Sequence, residues 1–320
     1  MSTPNQPLAT QLAAARHSFR AVVKILLAAL AIALMIVAGS PKARLSVVWA
    51  SGRGEGCSFE DTVNGHDLLL RMDKLGKEIG AASHVVQRDG GFELVETPRG
   101  PFWTAANDRF LKYTLAEQEL EIYGSGSRGV QPGDVVLDCG ANNGVFTRTA
   151  LSRGARLVVA IEPTPNTVEC LRRNFSREIS DGRVIVYPKG VWDHVDTLEL
   201  AIGTDGNTTG NSFVFGRDEK TKLKVPLTTI DILVGELHLP RVDFIKMDIE
   251  GAEKQALRGA VNTIRKFRPR MALASEHLPE DPLEIPKVVA SISPGYVVYP
   301  SSCKDDFLSA PPEVLLFQAQ

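Results

Sequence analysis

The sequence predicts a doubly wound α/β domain: a mostly parallel, Rossmann-like sheet with an antiparallel C-terminal edge, preceded by an N-terminal membrane helix and an α/β extension. Three observations carry this reading. From Gly133 onward, short β-rich runs alternate with helical stretches, the pattern of a sheet covered on both faces. The last two β-rich runs, YVVYP (296–300) and EVLLFQ (313–318), follow each other with no helix between them, which suits an antiparallel edge. The run 21–39, AVVKILLAALAIALMIVAG, is apolar apart from Lys24.

Composition sets the outer bounds. The chain has 320 residues, 43% of them hydrophobic and 23% charged, enough to bury a full core and unlike a disordered tail, a collagen repeat or a small disulfide scaffold. Its 36 Lys and Arg face 38 Asp and Glu, so no bulk positive field exists to hold nucleic acid, and no such partner is expected. Cys57, Cys139, Cys170 and Cys303 form no metal-ligand spacing and read as reduced, mostly buried thiols of a cytosolic protein.

Residues 1–20 form a polar, basic tail without an acid. The run 21–39 then reaches spanning length if Lys24 snorkels to the headgroups, which makes it a transmembrane anchor. With Arg16, Arg20 and Lys24 as its charged start, it also fits a secretory signal peptide. Lys42, Arg44 and Arg53 balance the charges on the other side, so charge does not orient it.

Residues 40–128 read as a linker and extension. Asp61–Ile79 has helical periodicity, HVVQR and FELVE flank a turn at Gly90-Gly91, and Asn107–Tyr123 is helical again. Phe102, Trp103 and Tyr113 suit core packing more than a substrate pocket. The extension is expected to pack on the following domain and cover its active site.

Residues 129–320 carry the sheet. VVLD (135–138), LVVAIE (157–162), RVIVYP (183–188), VDFIKMD (242–248) and MALASE (271–276) read as parallel strands, with helices over 145–152, 167–178, 251–267 and 283–291. TLELAIG (197–203), FVFG (213–216) and KVPLTT (224–229) read as extra antiparallel strands, with a short helix from Ile230.

Ligands of such sheets sit at the carboxyl ends of the strands. The first strand ends in Asp138-Cys139-Gly140-Ala141-Asn142-Asn143-Gly144, where glycines at 140 and 144 allow a tight turn and a close ligand. The spacing is DxGxxxG rather than the GxGxxG of dinucleotide sites, and an acid at that mouth repels a pyrophosphate but suits an amino group or a sulfonium. This favours S-adenosyl-L-methionine over NAD. Glu162-Pro163 ends the second strand, where a carboxylate accepts from ribose hydroxyls in either kind of site. In FIKMDIEGAEKQALRGA (244–260), alternation puts Lys246 on the side of Asp248, with Asp248 or Glu250 as its partner and Glu253 in the first helical turn.

The segments GDVVLDCGANNGVFT, AIEPTPNTVECLRRN, VPLTTIDIL, FIKMDIEGAEKQALRGA and RPRMALASEHLPEDPLEIP, over about residues 131–288, resemble the FkbM-type methyltransferases, within the class I S-adenosylmethionine-dependent enzymes. Cys139 departs from the family, which usually has an aliphatic residue there, and residues before 125 match poorly. The resemblance implies methyl transfer to a hydroxyl of a sugar, glycan or natural-product acceptor. It implies that Asp138, Gly140, Asn142 and Gly144 hold the methionine part of the cofactor, that Glu162 and Pro163 border the ribose, and that Lys189-Gly190-Val191 border the adenine.

A hydroxyl attacking a sulfonium methyl needs a base and in-line alignment. His277, just after the fifth strand, is the expected base, with Asp248 as its partner or as acceptor of the substrate hydroxyl and Glu250 beside them. A variant reading has Asp248 and His277 holding a divalent metal, for which the sequence shows no third ligand. The rival classes are a tethered binding protein that keeps the fold without turnover and an NAD-dependent oxidoreductase. Because S-adenosylmethionine is a cytosolic metabolite, the expectation is a single-pass membrane protein with its methyltransferase domain facing the cytoplasm.

Overall fold

Strands with an apolar residue at nearly every position need cover on both faces. The computed structural model describes residues 39–54, 56–201 and 222–320, with positions 23, 24, 27 and 37. Helix α1 (Pro41–Ala50) leads into the long helix α2 (Phe59–Ala82). The latter begins two residues earlier than its periodicity suggests, because Ser58 Oγ caps it by accepting from the Asp61 amide at 3.0 Å. Strands β1 (His84–Asp89), β2 (Phe92–Glu96) and β3 (Phe102–Ala105) form an antiparallel sheet, with the expected turn at Gly90-Gly91. Helix α3 (Leu111–Glu119) is shorter than the 107–123 predicted. Asp108 Oδ1 accepts from the Phe110 amide at 2.7 Å and so starts it, and the left-handed Glu121 follows its end.

The main domain follows as β4 (Val135–Cys139), α4 (Val145–Ser152), β5 (Leu157–Ile161), α5 (Pro165–Asn174), α6 (Ser176–Ser180) and β6 (Val184–Tyr187). Next come β7 (Gly190–Val191), β8 (Thr197–Ala201), β9 (Lys222–Thr228) and α7 (Ile230–Glu236). The chain closes with β10 (Phe244–Met247), α8 (Glu253–Arg258), α9 (Val261–Phe267), β11 (Arg270–Ala274), α10 (Asp281–Ile292), β12 (Tyr296–Cys303) and β13 (Pro312–Ala319).

The central sheet has the order β12-β13-β11-β10-β4-β5-β6. Strands β11, β10, β4, β5 and β6 are parallel, and β13 pairs antiparallel with both β11 and β12, the edge that the helix-free C-terminus predicts. Winding reverses between β4 and β10, so the crevice lies at their carboxyl ends. Strand alternation divides the core in two. Leu137, Ile245, Met247, Leu273 and Phe317 face one cluster, whereas Val136, Phe244, Ala272, Val314 and Leu316 face another that includes Ile122 and Tyr123 of the extension. Asp138, Lys246 and Asp248 therefore share the face that the extension covers.

Two differences from expectation have local causes. The helix predicted over 251–267 is broken into α8 and α9, because the Asp231 carboxylate accepts from the Asn262 amide (2.9 Å) and the Thr263 amide (2.8 Å) and starts a new helix there. Of the extra strands, β8 and β9 pair antiparallel and β7 joins β9 in parallel, while FVFG (213–216) lies outside the described residues.

Two expectations about environment are corrected. Cys57 and Cys303 form a disulfide across 246 residues, whereas Cys139 and Cys170 are free and buried. The four reduced thiols of a cytosolic protein are therefore not what the fold contains, since such bonds persist chiefly in oxidising compartments. Among the described residues no helix is long and apolar enough to cross a membrane, which overturns the single-pass, cytoplasm-facing reading. The run 21–39 behind that reading lies outside the described residues except at Val23, Lys24, Leu27, Val37 and Gly39.

Candidate active site

A cavity of about 240 Å³ opens at the carboxyl ends of β4, β5, β10 and β11. One half is lined by the loops after β4 (Gly140–Asn143), β5 (Glu162–Thr164) and β6 (Lys189–Val191). The other is lined by α3 and the chain after it, by Asp248 and Glu250, and by Glu276, His277 and Glu313. Gly140, Asn142, Glu162, Pro163, Asp248, Glu250 and His277 thus converge on one space, as the sequence predicts, with Lys189-Gly190-Val191 at its edge.

Asp138 and Gly144 do not reach the cavity wall. Asp138 is fully buried beneath it, where Thr147 Oγ1 donates to its Oδ2 at 2.7 Å and Lys246 Nζ lies 3.6 Å from its Oδ1. Lys246 and Asp138 are register partners on adjacent strands, a neighbour that the sequence reading of Lys246 did not include. Gly144 begins α4 at a φ of 85°, and a Cβ there would lie 2.2 Å from the Phe175 ring. Gly140, at a φ of 77°, would bring a Cβ within 1.9 Å of the Asp248 carbonyl oxygen. Both glycines let chain approach chain at least as much as ligand.

Glu162 is built as a fixed acceptor. Its carboxylate takes the Asn142 amide at 3.1 Å and the Thr164 amide at 2.9 Å, joining the loops after β4 and β5, and each oxygen keeps capacity for another donor. Burial pushes its carboxyl above the usual range, opposed by those hydrogen bonds. The chemistry fits ribose hydroxyls, and the neighbouring glycine-bearing loop leaves room for the rest of a nucleoside.

The reaction side centres on Asp248. Tyr123 donates its hydroxyl to Asp248 Oδ2 at 2.8 Å, Lys246 Nζ lies 3.7 Å from the same oxygen, and His277 Nε2 lies 3.5 Å from Oδ1. Burial alone would raise this carboxyl, but Lys246, His277 and Tyr123 outweigh it and hold it below its ordinary value. Lys246 donates to the Gly140 carbonyl at 2.9 Å, and it lies near Asp138 and Asp248 rather than Glu250. Burial lowers the ammonium's pKa, yet those carboxylates bring the net shift upward.

His277 sits among acids. Its Nδ1 lies 3.2 Å from Glu253 Oε1, and its Nε2 lies 3.7 Å from Glu250 Oε2 as well as facing Asp248. Burial works against the charged ring, but the three carboxylates push its pKa up to about 10. At neutral pH it is an imidazolium, which cannot accept a proton, so the expected role of base does not fit this state. Glu253 is more than a helix-terminal acid: fully buried, it also accepts from the Ile249 amide at 2.8 Å. Asp248, Glu253 and His277 come close enough for one ligand atom from each to share an ion, which supplies the third group missing from the metal reading. The ring nitrogens, however, face different carboxylates, the arrangement of a charged ring held between acids.

Phe102, Trp103 and Tyr113 are absent from the cavity wall. Phe102 is buried under the Arg148 guanidinium at 3.6 Å, consistent with packing. Residues that sequence reasoning missed are Tyr123, Glu117, Glu313, Asp108 and Asn143. Tyr123 could have been found only from the length of its helix, whose early end turns it toward the sheet.

Residues 138–293 match the model of the methyltransferase FkbM domain, the stretch that carries every strand end described above. This stretch is similar to the FkbM methyltransferase domain. Over 181 residues it is 24% identical to the hexuronic acid methyltransferase AglP of Haloferax volcanii, a match covering 55% of this chain and 69% of AglP. Over 200 residues it is 26% identical to the AMB antimetabolite synthetase AmbE of Pseudomonas aeruginosa, covering 52% of this chain but 9% of AmbE. The crystal structure of methyltransferase FkbM from Methylobacillus flagellatus matches with 19% identity and a TM-score of 0.46, covering 80% of this chain and 60% of that one. The FkbM domain match excludes α3 and β13, so the wall opposite the β4 and β5 loops is built in part by residues outside it.

Proposed function

We propose that the protein is an S-adenosylmethionine-dependent O-methyltransferase that methylates a hydroxyl of a small-molecule or glycan acceptor. The observation that carries this reading is the convergence of two acids with different tasks on one cavity, Glu162 on the cofactor side and Asp248 on the acceptor side. Gly140, Ala141 and Asn142 border the methionine part, with Asp138 acting from beneath through Lys246 and Thr147. Glu162 and Pro163 border the ribose.

Bound S-adenosylmethionine supplies a methyl group on a positively charged sulfur, to be displaced as a neutral thioether. Asp248 accepts the hydrogen bond of the acceptor hydroxyl and aims its oxygen. As the oxygen–carbon bond forms, the hydroxyl proton becomes strongly acidic, so a carboxylate of low pKa is still competent to take it. Tyr123 and Lys246 fix the carboxylate's direction, while the His277 cation offsets the negative charge of Asp248, Glu250 and Glu253. Alignment within a partly closed cavity contributes most of the rate. A sugar-derived acceptor is also in keeping with the hexuronic acid methyltransferase AglP, whose name gives a sugar acid.

The test is incubation with isotope-labelled S-adenosylmethionine and a panel of hydroxylated acceptors, with products assigned by NMR. A methyl ether, lost in Asp248→Asn with folding retained, supports the reading. Methylated nitrogen or carbon, or undiminished turnover in that variant, overturns it.

A further inference from the structure

We propose that the acceptor carries a protonated amino group beside the hydroxyl that is methylated, and that the Glu117 carboxylate receives it. This rests on the methyl-transfer reading and extends it to the class of acceptor. The half of the cavity away from the cofactor loops is lined by Glu117, Asp248, Glu250, Glu276 and Glu313, together with Thr114 and Gln118. Glu313 belongs here because β13 runs antiparallel to β11. Its first residues therefore reach the mouth, where the Ser275 amide donates to the Glu313 carbonyl at 2.8 Å.

The cations near this wall are already engaged. Lys246 is held by Asp138, Asp248 and the Gly140 carbonyl. Lys304 pairs with Glu276 at 2.8 Å and Glu313 at 4.0 Å. His277 lies among Asp248, Glu250 and Glu253. The Glu117 carboxylate has neither a hydrogen bond nor a cation within ion-pair distance among the described residues. Burial, then repulsion from Asp248, Glu313 and Glu276, push its carboxyl up to about 8, so without a cation beside it the group is largely protonated at neutral pH and ionises when one arrives. The Glu313 carboxyl is pushed up to about 7, first by burial and then by Glu276. Asn143, 3% exposed, lines the facing cofactor side of the cavity, with a buried Oδ1 that no protein group donates to. The acidic wall thus gathers carboxyls with no positive charge among the described residues left to pair with Glu117.

A neutral polyol supplies hydrogen bonds but no charge. A uronate adds a carboxylate where Glu117, Glu276 and Glu313 already repel one another, so the acceptor inferred here differs from the hexuronic acid in AglP's name. An ammonium supplies both. A protonated amine has no lone pair for attack, which leaves the neighbouring hydroxyl as the nucleophile. The competing use of this field is to hold the cofactor's sulfonium.

The experiment titrates the full chain, saturated with S-adenosylhomocysteine, with D-glucosamine, N-acetyl-D-glucosamine, D-glucose and D-glucuronate. S-adenosylhomocysteine binding is recorded first, so that failure of the cofactor reading registers separately. D-glucosamine is expected to bind at least about tenfold more tightly than its N-acetyl form, with D-glucuronate weakest. Glu117→Gln should abolish that preference while S-adenosylhomocysteine still binds. Glu313→Gln, further from the amine, should weaken it only partly. Equal or tighter binding of the N-acetyl sugar or the uronate overturns the proposal, as does no binding of D-glucosamine to the loaded protein. A loss in Glu117→Gln confined to S-adenosylmethionine, with S-adenosylhomocysteine unaffected, also overturns it by assigning the field to the sulfonium.

Discussion

The Tyr123 hydroxyl donates to Asp248 Oδ2 at 2.8 Å, and this bond ties the N-terminal extension to the mouth of the central sheet. Tyr123 is 6% exposed, and Lys246 Nζ stands 5.3 Å from the centre of its ring. Burial above all, and then the charge of Asp248, raise the phenol's pKa, so it remains a donor at any working pH. A residue outside the FkbM match therefore orients the acid at the centre of the site.

Tyr123→Phe keeps the packing and removes the donor. Turnover should fall about tenfold, the scale of one charge-assisted hydrogen bond, with S-adenosylhomocysteine affinity unchanged. Steady-state kinetics beside calorimetry check this; equal losses in both would make Tyr123 a general support of the fold.

His277 should contribute stability as a cation. Its folded pKa, about 10, lies above the ordinary 6.5, so the contribution is complete below about pH 6.5 and is lost as pH rises through about 10. His277→Ala leaves Asp248, Glu250 and Glu253 facing one another and should cost about 3 kcal/mol at pH 6. Urea unfolding of both proteins across this range should show the difference shrinking toward pH 10. A constant difference would assign the loss to packing alone.

The Cys57–Cys303 disulfide joins the loop before α2 to the end of β12, and α2 packs against α3. Replacing both cysteines with serine should lower stability by about 3–5 kcal/mol, because the bond closes a very long loop in the unfolded chain. Chemical denaturation with and without reductant measures it: reductant should destabilise the native protein and leave the variant unaffected.

Chelation tests the alternative use of Asp248, Glu253 and His277. With the two ring nitrogens facing different carboxylates, dialysis against EDTA should leave turnover within about twofold. A larger loss that zinc or magnesium restores would place an ion among these residues.

The parallel sheet and its antiparallel edge were legible because burial on both faces writes itself as continuous apolar runs. The convergence of Gly140, Asn142, Glu162, Asp248, Glu250 and His277 was legible because strand ends of a doubly wound sheet meet at one edge. The protonation state of His277 was not, because it depends on Glu253 reaching the ring from a separate turn. Nor was Lys246 against Asp138, which depends on the register between β10 and β4. Glu117 and Tyr123 were hidden for a related reason: helix periodicity gives a face but not the partner it meets. The disulfide joins positions too far apart for spacing to suggest a pair.

The central claim is that the cavity binds S-adenosylmethionine through Glu162. Calorimetric titration of the protein with S-adenosylhomocysteine, repeated on Glu162→Ala, tests it most directly. One site of micromolar affinity is expected in the native protein, weakened at least about a hundredfold by the substitution with the fold intact. Absence of binding by the folded native protein, or equal affinity in the variant, would contradict it.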